Sequence, residues 1–175
     1  VATTMSNEDL IYTKKGTTVW LTLNRPKAMN SISLSIVERM EELLPQVAAD
    51  DGVRVVVLTG SGAAFCAGAD LKAINSGQAG HISTRRGGFA GFVYRERRKP
   101  IIVAVDGLAT AGGCEIVLAS DMVIATSRSS FGLAEVKRNL IAGAGGLFRL
   151  PRAIGRAVAM EVILTGDPLS VERAY

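Results

Sequence analysis

Two carboxylates sit where the chain otherwise asks for burial. Glu115 lies in GLATAGGCEIVLASD (107–121), behind two glycines and a cysteine and ahead of Ile116, Val117, Leu118 and Ala119. Glu135 lies in SSFGLAEVK (129–137), also close to a glycine and at the start of an apolar segment. A glutamate in a helix's first turn is often only a partner of the helix dipole, and for either acid alone that reading weighs as much as a chemical one. The pair is harder to dismiss, because two small-residue turns, AGAD (67–70) and AGG (111–113), each end a buried run and open a helix. Such turns present backbone N–H groups that hold negative charge, although tight strand–helix packing also selects small residues. Two acids beside two amide-presenting turns are a constellation that holds one water and one anion together.

Other chemistries find little support. GSGAAF (60–65) is not a dinucleotide fingerprint, since Phe65 takes the third glycine's place, and no Walker sequence occurs. His81 is the only histidine and stands in a polar, glycine-rich stretch, so neither a Ser–His–Asp set nor an ordinary zinc site can be assembled around it. Cys66 and Cys114 lie in small, apolar contexts and read as buried free thiols, which suits a reducing cytoplasm. The net charge of +4 is concentrated in YRERRK (94–99) and TRR (84–86). A solvated basic face is the simpler reading, and attraction to a polyanion, a nucleotide-bearing cofactor as well as a nucleic acid, is the functional one. With aromatics at 5%, base stacking is weakly supported.

The elements that position these groups follow from periodicity. TTVWLTL (17–23) alternates Val19, Leu21 and Leu23 against Thr18, Trp20 and Thr22, as a half-buried strand does. Ile36, Met40, Leu43, Leu44 and Val47 recur at helical spacing, with Ser35 and Glu38 as a capping box. VRVVVLTG (53–60) and KPIIVAVDG (99–107) are β-branched runs suited to strands buried on both faces. LATAGG reads as a turn, CEIVLAS as a helix start, DMVIAT (121–126) as a further strand, and 152–165 as helical, with a fresh helix signal in LSVERAY. Strand, small-residue turn and helix recur at roughly fifty-residue intervals, which indicates an α/β fold built on a ββα-like unit in one domain. The apolar runs, IIVAV among them, fall far short of the ~20 residues that span a bilayer. VATTMSNEDL lacks the features of a secretory leader, so a cytoplasmic location is expected.

Taken jointly, LNRPKAMNSIS (23–33), FCAGADLK (65–72), KPIIVAVDGLATAGGCEIVLASD (99–121), SSFGLAEVKRNLIAGAGGLFRLPRAIG (129–155) and LTGDPLSVERAY (164–175) resemble the enoyl-CoA hydratase/isomerase (crotonase) superfamily. The resemblance implies a crotonase-like spiral of ββα repeats and a site for an acyl-CoA thioester, with coenzyme A as part of the substrate and no separate cofactor. It implies that the amides of Ala69 and Gly112 hold the enolate oxyanion, and that Ala69, Asp70, Leu71 and Lys72 line the CoA and acyl groups. Lys27 and Ala28 fall at the nucleotide end, and Gly143 matches a glycine whose amide helps place water. Glu115 and Glu135 match the two carboxylates of members that add water across an enoyl double bond, Glu115 for water activation and Glu135 for proton transfer. Ala134 and Ala142 stand where prolines are common in the family, which loosens the backbone without removing a reacting group.

The resemblance further implies an enoyl-CoA hydratase of fatty-acid β-oxidation type, a homotrimer or homohexamer when complete. Residues 1–175 would be its N-terminal core, with further helices following Tyr175. RRGGFAG (85–91) is faintly similar to the carnitinyl-CoA dehydratase branch, and enoyl-CoA isomerase is a second variant of the same chemistry. RNA binding, known for one branch of the superfamily, is the alternative of a different class, with YRERRK as its footprint; the composition argues against it.

Overall fold

The computed structural model describes residues 3–6 and 9–174. The readings that touch Val1, Ala2, Asn7, Glu8 and Tyr175, at the N-terminal stretch and the end of the last helix signal, lie outside the described residues there. Strands β1 (Thr3–Ser6), β2 (Leu10–Lys15) and β3 (Thr18–Leu23) form an antiparallel meander. The alternation read in β3 is realised: Val19, Leu21 and Leu23 are fully buried while Trp20 is exposed.

Helix α1 (Leu34–Ala49) follows and buries Ile36, Met40, Leu43, Leu44 and Val47 on one stripe. Its cap differs from the expected box. Ser33, not Ser35, is the N-cap, its hydroxyl accepting from the Ile36 amide and donating to Asp9. Two serines two residues apart offer alternative starts, and the bond to Asp9 favours the first.

The chain then winds in units of two strands and a helical turn. The first has β4 (Val55–Gly60), β5 (Ala64–Cys66) and the short α2 (Leu71–Ala73). A two-stranded excursion, β6 (Ser83–Thr84) and β7 (Gly88–Phe89), separates it from the second, β8 (Ile101–Val105), β9 (Leu108–Thr110) and α3 (Gly112–Leu118). The third begins soon after, with β10 (Met122–Ala125), β11 (Ser130–Gly132) and a 3-10 turn at Ala134–Arg138. Helices α4 (Gly146–Ile154) and α5 (Arg156–Thr165), then β12 (Leu169–Ser170) and α6 (Val171–Ala174), complete the described chain.

Each unit gives its first strand to one sheet, ordered β1-β2-β3-β4-β8-β10, and its second to another, ordered β12-β11-β9-β5. The pairs β3–β4, β4–β8, β8–β10, β5–β9 and β9–β11 are all parallel. Alternating the two sheets in this way is the spiral of ββα repeats.

Three expectations from the sequence need correction. LATAGG is not wholly a turn, because Leu108–Thr110 pair with β5 and β11 and only Ala111 turns the chain. The helical stretch set at 152–165 is two helices broken at Gly155, whose φ of 81° interrupts the run, and the first begins at Gly146. The repeat is also not evenly spaced, the second and third units starting at Ile101 and Met122.

DMVIAT is a strand as expected. It lies at the sheet's edge, with Met122, Val123 and Ile124 exposed. Elsewhere one apolar core runs between the sheets and under α1. Among the described residues no helix is long and apolar enough to cross a membrane.

Candidate active site

A cavity of about 950 Å³ opens between the second sheet and the helical turns, walled by segments within 28–31, 67–74, 83–94, 108–115 and 134–144. Ala69 and Gly112 both lie on its wall. An isolated parallel bridge joins Ile32 to the AGAD segment, with the Ile32 amide donating to Gly68 O and the Asp70 amide to Ile32 O. In that pattern the bonds to Ile32 come from the residues on either side, so Ala69's own N–H and C=O face away from it.

Gly112 is the first residue of α3, where backbone N–H groups have no partner within the helix. The cap before it, Ala111, is held at φ 50°, ψ −127°, a conformation that L residues adopt only under constraint. This abrupt corner turns the chain from β9 directly into the helix. AGAD differs from its expected form. Only three α-helical residues follow it before a π-helical turn at Ile74–Gln78, so no full helix dipole stands behind Ala69.

Glu115 sits one turn into α3 and is 3% exposed. Its Oε1 accepts two backbone amides, from Ala144 at 2.8 Å and Gly146 at 2.9 Å. Burial pushes its carboxyl up to about 7; the Gly146 amide works against that shift, Glu135 adds to it, and the Ala144 amide and Arg149 oppose it. Glu135, on the 3-10 turn at Ala134–Arg138, also lies on the cavity wall, and burial raises its carboxyl above the ordinary range. Its Oε2 is shut from solvent and meets no hydrogen-bond donor of the described residues. The turn that carries it ends at Asn139, in the left-handed region at φ 55°.

The structure thus brings together Glu115, Glu135, Ala69, Gly112, Gly143, Ala28, Asp70, Leu71 and Lys72 around one cavity. Lys27 is the exception. It is exposed on the 3-10 turn Pro26–Ala28 and is not part of the wall, which Ala28 and Met29 form there. Asp70 is engaged structurally: its carboxylate pairs with Arg25 at 2.7 Å and accepts from the Lys72 amide at 2.9 Å. Burial alone would raise its carboxyl, but those bonds hold it below the ordinary range.

The basic run YRERRK is a solvated face only in part: Tyr94, Glu96 and Arg98 are exposed, while two of its arginines turn inward. Arg95 is buried, its Nε donating to Gly91 O at 2.7 Å and its Nη2 to Glu41. Arg97 donates to Ala119 O and packs over the Phe92 ring at 4.9 Å. Both arginines therefore act as internal ties that fix the 83–97 segment against α1 and α3. Cys66 and Cys114 are free and buried, as expected, and burial pushes each thiol up to about 12. His81 is exposed.

A family model described as enoyl-CoA hydratase/isomerase matches residues 13–175. The chain belongs to that family. Among solved structures, an enoyl-CoA hydratase of Mycobacterium marinum superposes with a TM-score of 0.90 at 44% identity, covering 96% of this chain and 66% of that one. A carnitinyl-CoA dehydratase of Mycobacterium avium does so with a TM-score of 0.88 at 43% identity, over 96% and 66%. Of curated relatives, a mevalonyl-coenzyme A hydratase of Beauveria bassiana is 43% identical over 162 residues, which is 87% of this chain and 58% of the relative. The chain thus spans less than two thirds of the length of these relatives.

Four features of this enoyl-CoA hydratase/isomerase family site are not legible in the sequence. The donors to Glu115 are the amides of Ala144 and Gly146, whereas Gly143 offers its carbonyl to the Tyr94 hydroxyl at 3.3 Å. Phe89 and Tyr94 form part of the cavity wall, and Arg149 packs behind the segment that carries the donors. Backbone donors leave no side-chain signature. The one available hint is the glycine pair of GAGG immediately before a helix.

Proposed function

We propose that the protein is an enoyl-CoA hydratase, adding water reversibly across the α,β double bond of an enoyl-CoA thioester. The observation that carries this is the carboxyl pair, Glu115 buried and Glu135 half-buried, both raised above the ordinary range and lining one cavity with the amide-bearing turns at Ala69 and Gly112. In this reading the thioester oxygen sits against the Ala69 and Gly112 amides. Those donors stabilise it most when the enolate charge develops, which is the differential binding that accelerates a reaction.

Glu115, anchored through Oε1, orients and activates the water that attacks Cβ, and the Gly143 amide helps to place that water. Glu135 moves the proton at Cα, a role suited to an acid whose Oε2 has no partner among the described residues. Two carboxyls in a dry site divide naturally into one ionised and one protonated member. Coenzyme A enters as part of the substrate, along Ala28 and the Asp70–Lys72 segment, with Lys27 beside its nucleotide end. The complete protein acts as a trimer or a dimer of trimers in the cytoplasm, with fatty-acid β-oxidation as its pathway.

The test is hydration of a panel of enoyl-CoA thioesters by the full-length protein, including short unbranched, hydroxylated and trimethylammonium-bearing acyl groups. The last two probe the mevalonyl- and carnitinyl-type chemistry named for the relatives. Glu115→Gln and Glu135→Gln are each expected to lower kcat by ~10²–10⁴-fold. The double variant should fall far less than the product of the two, because both acids serve one water. Near-normal turnover by the Glu135→Gln variant would overturn the mechanism.

A further inference from the structure

Glu115 is held by backbone, so whatever holds that backbone controls Glu115. The segment bearing its donors, 143–146, is a loop that opens α4 and crosses the back of the cavity. Arg149, half-buried on the first turn of α4, reaches back over it. Its Nη1 donates to Ala144 O at 3.1 Å and its Nη2 to Val93 O at 2.8 Å. The guanidinium packs between the Tyr94 ring at 5.3 Å and the Phe148 ring at 4.9 Å.

Room for it comes from Gly145, where a Cβ would lie 2.1 Å from Nη1 and where φ is 104°. Tyr94, the residue after Val93, adds its own bond from the hydroxyl to Gly143 O. One planar fork therefore joins the cavity-wall segment at 93–94 to the peptide unit preceding Gly145, one residue from each amide that Glu115 uses.

We propose that Arg149 is a positioning residue for the acid pair: its two carbonyl bonds clamp residues 143–146 so that the Ala144 and Gly146 amides stay on Glu115 Oε1 and Oε2 remains available to the cavity. This rests on the hydratase reading for its catalytic consequence, but the clamp itself does not. Among the described residues the charged and titratable groups around Glu115 are few. Glu135 approaches from the 3-10 turn, Arg149 from α4, and the neutral thiol of Cys114 lies on α3 itself. Of these only Arg149 carries a positive charge, and it acts to keep Glu115 ionised.

Lysine matches the charge without the fork, so it separates the two contributions. Arg149→Met and Arg149→Lys are made in the full-length protein and compared with wild type in two ways. Carbon-13 NMR of the Glu115 carboxyl in the unliganded protein reads its titration without any substrate. Hydration of a short enoyl-CoA across pH reads kcat and its acidic limb.

Arg149→Met is expected to move the Glu115 titration and the acidic limb to higher pH and to lower kcat by about 10- to 100-fold, the scale of a small misplacement of reacting groups. Arg149→Lys should keep the limb near wild type yet recover only part of kcat. If Arg149→Met fails to fold, the lysine variant's kcat loss at an unmoved limb carries the clamp. Loss of thermal stability with an unmoved titration and wild-type kcat would overturn the proposal. Absence of hydration by the wild type would sink the hydratase reading, and the amide chemical shifts of Ala144 and Gly146 in Arg149→Lys, moved if the fork holds them and unmoved if it does not, would then decide whether the clamp exists.

Discussion

At the scale of single residues, the carboxyl that the geometry arms is also one that the fold is destabilised by keeping. Glu115's ordinary value is 4.5 and burial pushes it to about 7. The folded chain therefore holds this proton to higher pH than the unfolded chain does. Its contribution to stability falls as pH rises from about 4.5 to about 7 and stays lowered above that. At ~1.4 kcal/mol per pKa unit the cost is about 3–4 kcal/mol. In Glu115→Gln the amide oxygen can still accept from Ala144 and Gly146, so the cost disappears with the charge. That variant is expected to unfold at higher denaturant than wild type at pH 8 and at nearly the same denaturant at pH 4.5. An equal difference at both pH values would show that ionisation is not the cause. Glu135 is raised in the same direction and adds to the trend. Both acids are legible in the sequence because each interrupts an apolar segment beside glycine. The partners of Glu115 are not, because Ala144 and Gly146 act through amides that any residue possesses.

Among the elements, the corner at α3 concentrates the constraint. A Cβ on Gly113 would lie 2.1 Å from the Cys66 carbonyl oxygen, and backbone on that packed strand cannot step aside. Gly113→Ala is expected to destabilise by about 1–3 kcal/mol or more. Ala111→Gly relieves a conformation that costs roughly 1–3 kcal/mol but adds freedom to the unfolded chain worth about 0.5–1, so a net gain of about 1 kcal/mol is expected. Chemical denaturation of the two variants checks the opposed signs. Helix α1 and strands β3, β4 and β8 are legible because each repeats a strong pattern over five residues or more. Strand β9 resembles a turn because three residues, Leu108–Thr110, are too few to show a period, and pairing on both sides makes them a strand. The start of α4 is hidden for another reason. Gly145 and Gly146 look like loop, and they are needed there by the Arg149 guanidinium and by close contact with Leu133 and Glu115.

Across the whole molecule, charge and topology each have a consequence. Two arginines of the basic run are engaged by Glu41, Ala119 and Phe92, so the run is a poor footprint for a polyanion. RNA is expected to bind weakly and only at low salt, while CoA thioesters bind with modest salt dependence. A steep fall of log affinity with log salt, still measurable near physiological ionic strength, would show that other cations gather a strip of phosphates. The spiral also imposes an order in time. Glu115 belongs to the second unit, but the amides that receive it come 29 and 31 residues later. At about 5–20 residues per second, a ribosome needs roughly two to six seconds to supply them. Until then α3 has a carboxylate on its inner face with nothing to anchor it, and water is its only partner. The parts of the pocket wall up to residue 115 can be in place first. The acid is seated last, when the chain returns across the cavity and α4 begins.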